Sequence, residues 1–116
     1  MLISTPGETY RYTVDESKRH LDMLRDKLTM VTLSTFMPNP GCDVERDPEH
    51  FGVEVVSKDY AQYDKHAWVR YGTSIIPAPA WSPIRIQGMT YAQQLENIEA
   101  MRGLVLGVMN YGVAAC

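Results

Sequence analysis

The chain has 116 residues, of which 45% are hydrophobic and 22% charged, and a formal net charge of -3. That is enough for one real core, so residues 1–116 are expected to form a single domain. The mild acidity argues against a general nucleic-acid binder, which would carry a basic stripe. Two cysteines, Cys42 and Cys116, are too few for a disulfide framework.

The opening residues, Met1 to Gly7, have no basic n-region and no apolar run of signal length, which predicts a cytoplasmic protein. Pro6-Gly7 marks a turn. From Glu8 to Thr13, Tyr10 and Tyr12 alternate on one side, which predicts a short strand. Thr13 followed by Glu16 makes a capping box. Leu21, Leu24, Leu28 and Val31 then recur at spacings of three and four, predicting a first helix that runs until Pro38 and Pro40 stop it. Met23, Met30 and Met37 recur on another face of that helix. Methionine adapts to irregular contacts, so Met23 and Met30 are candidates for an interface.

Residues 38–50 hold three prolines and four carboxylates against one arginine, which predicts a loop. Strand-like runs follow at Phe51–Ser57 and Ala67–Gly72, and a hairpin pairing them through Lys58–His66 is expected. That connection reads as a loop or a short helical turn. Thr73–Ile76 extends the second run, Pro77–Pro83 reads as extended chain, and Ile84–Ile86 as a last short strand before Gly88. A second helix starts at Thr90, with Thr90-x-x-Gln93 as a capping box, and is expected to decay near Asn110–Gly112. Tyr91, Leu95, Ile98, Val105 and Met109 form its apolar face, and Arg102 falls among them. Arg102 is expected to snorkel to water, a pair with Glu99 or a bound anion being the alternatives. The fold class that follows is α+β: a short antiparallel sheet with two helices packed on one side.

The most informative stretch is the last. Gly103 to Cys116 contains no charged side chain, and Ala100, Gly103 and Gly107 form a ridge of small residues at helical spacing. Small residues let two backbones approach closely, either within the fold or between sister chains. With Tyr111 beside it, the ridge is a candidate interface. The stretch is too short to span a membrane and is broken by Asn110 and its glycines, so no membrane partner is expected.

Other constellations carry less. Tyr60, Tyr63, Trp68 and Arg70 gather aromatic rings around a cation, as a pocket for a small anionic, nucleotide-like ligand would require, and Arg102 is a further candidate for it. Cys42, Asp43, Glu45, Asp47, Glu49 and His50 crowd reactive groups into one segment. The EF-hand pattern fails there, because Pro48 takes the position that needs glycine. Neither metal nor cofactor is expected. No nucleophile elbow or phosphate loop is present.

The leading expectation is therefore a non-enzymatic binding and assembly protein, a homo-oligomer built through its C-terminal helix, of the size of a viral or mobile-element accessory protein. Another protein or a small anionic ligand is the alternative partner, and nucleic acid is not expected. A nucleotide-like ligand binder is the first alternative function, and a small Cys/His or metal-dependent hydrolase the second.

Overall fold

The computed structural model describes residues 1–28, 30–65, 68–71, 74–77 and 80–115; for 25, 60, 64, 65, 68–71, 74, 75, 77 and 108–115 it describes the backbone alone. The elements are, in order, β1 (Leu2–Ile3), α1 (Tyr12–Leu24), a 3-10 turn (Arg25–Lys27), β2 (Ser34–Thr35), α2 (Asp43–Arg46), a second 3-10 turn (Pro48–Phe51), β3 (Val53–Val55), α3 (Tyr60–Lys65), β4 (Trp68–Tyr71), β5 (Ser74–Pro77), β6 (Ile84–Ile86) and α4 (Tyr91–Ala115). The fold is α+β, as expected from the order of apolar patterns, and α1 packs on α4 while α4 also touches β1, β5 and β6. No helix among the described residues is long and apolar enough to cross a membrane.

The segment expected to be a first strand is instead two turns. The Glu8 amide donates to the Thr5 carbonyl and the Tyr12 amide to the Thr9 carbonyl. Arg11 then takes a left-handed φ of 69°, and its carbonyl accepts the Asp15 amide to start α1. Thr13 therefore lies inside the helix rather than at its cap. Val14, Ser17 and Leu21 supply the buried face.

α1 also ends earlier than its leucine spacing suggests. Leu24 is 44% exposed, and the chain beyond the 3-10 turn becomes extended. Val31, Leu33 and Thr35 are buried, while Thr32, Ser34 and Phe36 are only half-buried. That is the period of a strand, and valine and threonine are residues that fit a pleated surface better than a helix. β2 pairs in parallel with β1, Ile3 opposite Thr35.

The 38–50 segment is not a plain loop. Asp43 and Glu45 stand in the first turn of α2, where carboxylates suit the positive end of the helix, and Arg46 pairs with Asp43. The second 3-10 turn has Pro48 at its start and closes on Gly52, whose φ of 68° is left-handed. A Cβ there would also stand 3.2 Å from Gln87 Oε1.

The expected hairpin between the two central runs does not form. β3 pairs antiparallel with β6, Glu54 opposite Arg85, and β4 pairs antiparallel with β5. The reason lies on α4. The Gln94 side chain accepts the Ile86 amide at 3.0 Å and donates to the Ile84 carbonyl at 3.2 Å. It thus occupies the outer edge of β6 as a third strand would. Val53, Ile84, Ile86 and Met89 form one small core there, with Phe36, Val44, Phe51 and Val55 around it. The larger core joins Ile3, Val14, Leu21, Val31, Leu33, Ile76, Ile98, Met101 and Val105.

The start of α4 matches expectation. The Gln93 amide donates to Thr90 Oγ1 at 3.1 Å and the Thr90 amide to Gln93 Oε1 at 3.0 Å. Its buried face is rotated from the expected one: Gln94, Asn97, Ile98, Met101 and Val105 are buried, whereas Tyr91 and Leu95 are half-buried. The helix does not stop at Asn110–Gly112 but continues to Ala115.

Candidate functional site

On α4, positions 92, 96, 99, 103 and 107 share one side of the helix, opposite the buried residues, and all five are exposed. Gly103 and Gly107 therefore face outward. A Cβ built on either meets nothing within 4 Å. Their smallness serves no close contact among the described residues. Ala100 differs: it packs against the larger core from the edge of the exposed face. Tyr111 belongs to α4 by its backbone, and its side chain lies outside the described residues.

Apolar surface is also exposed in the N-terminal part of the chain. Met23 is 72% exposed and Met30 57%, and among the described residues the exposed large hydrophobics other than Val56 come from the first thirty positions. Tyr12 and Met23, eleven residues apart on α1, point the same way, opposite Val14 and Leu21. Tyr10 links this region to α4, its hydroxyl donating to Glu96 at 2.6 Å. The carboxylate beside it holds that phenol above its ordinary range.

The expected aromatic pocket is only partly visible. The side chains of Tyr60, Trp68 and Arg70 lie outside the described residues; their backbones belong to α3 and β4, where Trp68 stands opposite Pro77 and Arg70 opposite Ile75. Tyr63 is half-buried, meets Trp81 edge-on at 5.6 Å, and donates its hydroxyl to the Ser57 carbonyl at 3.2 Å. Burial pushes its phenol up, and nearby Glu45 and Cys42 add to that. The arginine seen stacking on an aromatic ring is Arg85, 3.4 Å above the centre of Tyr91. Its Nη1 also donates to the carbonyls of Ser82 and Ile84, so it is committed to the fold. Arg102 is half-buried: its side chain is 17% exposed, and Nε stands 3.6 Å from the exposed carboxylate of Glu99.

The candidate thiol chemistry is not assembled by the described residues. Cys42 is a free thiol at the start of α2, and no hydrogen bond joins it to a histidine among them. His50 meets Phe51 edge-on. No group of three or more histidine, cysteine, aspartate or glutamate side chains among the described residues could hold a metal.

One polar site escaped the sequence patterns. A groove of about 410 Å³ runs along Thr5 to Thr9 and the start of α1, lined also by Tyr12 and Thr13. Glu8, 8% exposed, is its only charged lining residue. Oε2 accepts the Ser4 amide at 3.3 Å, whereas Oε1 is buried with no hydrogen-bond partner. Burial pushes the carboxyl above the ordinary range, against the pull of the Thr13 hydroxyl and the Ser4 amide. Ser4 adopts a left-handed φ of 63°, uncommon outside glycine, and its buried hydroxyl is also unpartnered. The only sequence signal was Pro6-Gly7, which folds the chain back so that Glu8 turns inward. No family model, no curated protein and no solved structure matches the chain.

Proposed function

We propose that this chain is a non-enzymatic assembly protein that acts as a homo-oligomer through the exposed face of α4. The supporting observation is the position of Gly103 and Gly107. Each glycine in a helix interior costs about 0.5–1 kcal/mol relative to alanine. Neither recovers that cost among the described residues, because neither makes a close approach to any of them. A second copy crossing the ridge recovers it, since two such faces let their backbones meet around a two-fold axis. Ala100 borders the contact, Tyr10 adjoins it through its hydrogen bond to Glu96, and Met23 and Met30 offer further exposed apolar surface. The cytoplasm is the compartment that goes with this reading, since Cys42 is a free thiol.

Substitution separates the two halves of the argument. Gly103→Leu adds a side chain into open space, so the isolated chain keeps or slightly raises its stability. Association, followed by light scattering, weakens at least tenfold. A variant that associates as the unmodified chain does would remove the ridge from the interface. One that loses stability instead would make the ridge an internal contact.

A further inference from the structure

We propose that the groove at the start of α1 binds a primary ammonium group, which the Glu8 carboxylate neutralises. The chemistry of the lining selects this class. Glu8 is the only charged side chain among the described residues that line it, so a cation finds its partner there. Thr5, Thr9, Thr13 and Tyr12 bring hydroxyl acceptors for the remaining N–H groups to its lining, and Pro6 brings apolar surface for a short alkyl stem. One carboxylate alone does not make a divalent metal site. An ammonium is a point charge with three donors, and the single unpartnered Oε1 suits it.

Oε1 is covered in the structure, so binding includes a turn of the carboxyl about its last torsion, which is soft for glutamate. The 3.3 Å contact with the Ser4 amide is long enough to yield. A buried carboxylate oxygen without a hydrogen-bond partner is a standing cost to the fold, and a bound cation offsets it. None of the described residues that line the groove belongs to α4, and its test does not depend on assembly.

The ammonium can come from a free alkylamine or from a lysine side chain of a polypeptide. Amide NMR of the full chain, titrated with n-butylammonium chloride and with the peptide acetyl-Gly-Lys-Gly-amide at matched ionic strength, distinguishes the two. At least one probe is expected to give saturable shifts at the Ser4, Glu8, Thr9 and Thr13 amides; the tighter of the two names the source. Tetramethylammonium, which has no N–H, should bind at least tenfold more weakly, and 1-butanol, which has no charge, should give no saturable shift. Glu8→Gln should abolish the response. Absent shifts with both ammonium probes, an equal response to tetramethylammonium, or retention of binding in Glu8→Gln would each overturn the assignment. Should Glu8→Gln fail to fold, the probe series on the unmodified chain decides alone.

Discussion

Replacing Gln94 by leucine tests how α4 is tied to the β3–β6 ladder. The change nearly preserves side-chain volume but removes both the acceptor for the Ile86 amide and the donor to the Ile84 carbonyl. Gln94 is fully buried, so water does not replace the lost partners. Each buried backbone group left unpaired costs about 1–3 kcal/mol, which puts the expected loss at about 3 kcal/mol after the added apolar contact of leucine is counted. For a chain of this size that corresponds to about 10 °C in Tm. The assay is urea unfolding followed by far-UV circular dichroism, with an unchanged slope against urea showing that only stability moved. Gln93→Ala serves as the control, since it removes only the cap bond to the Thr90 amide, at about 1 kcal/mol. A loss below about 0.5 kcal/mol in Gln94→Leu would refute the role of Gln94 as a substitute strand.

Two further substitutions test local features. Glu8 has a raised carboxyl pKa in the fold, so the stability it contributes is full below its unfolded value near 4.5 and is lost as pH rises through the folded value. The stability of Glu8→Gln relative to the unmodified chain should therefore increase between pH 4 and pH 7, measured by urea unfolding across that range; a flat difference would contradict the burial of the charge. Gly52→Ala should cost about 1 kcal/mol by thermal unfolding, because an alanine there must hold a left-handed φ with its Cβ against Gln87. A neutral outcome would mean that the turn relaxes freely.

The parts of the fold that rest on neighbouring residues were legible in the sequence. The Thr90–Gln93 box needs only residues three apart, and it stands as written. Ile84–Ile86 is a strand with a turn at Gly88 behind it. The parts that rest on distant partners were not. β1 and β2 are two residues each, and pairing Leu2 with Ser34 leaves no periodicity to read. Leu21, Leu24, Leu28 and Val31 imitate a helix, while the alternation of Val31, Leu33 and Thr35 that actually governs this stretch is carried partly by a polar residue. Gln94 and Asn97 escaped for the same reason: a polar side chain is counted toward the surface unless its buried partner is known.

The site divides in the same way. The ridge at Gly103 and Gly107 was visible as a spacing of small residues, but only the three-dimensional arrangement shows that it faces away from its own core. Glu8 was indistinguishable from any other surface carboxylate. Its burial is produced by the reversal at Pro6-Gly7 and by the left-handed backbone of Ser4.

Self-association carries the central claim, and sedimentation equilibrium of the unmodified chain measures it directly. A self-associating chain gives a mass that rises above the 13.1 kDa of one chain as concentration increases through the micromolar range. A mass that stays at one chain up to high micromolar concentration would contradict it.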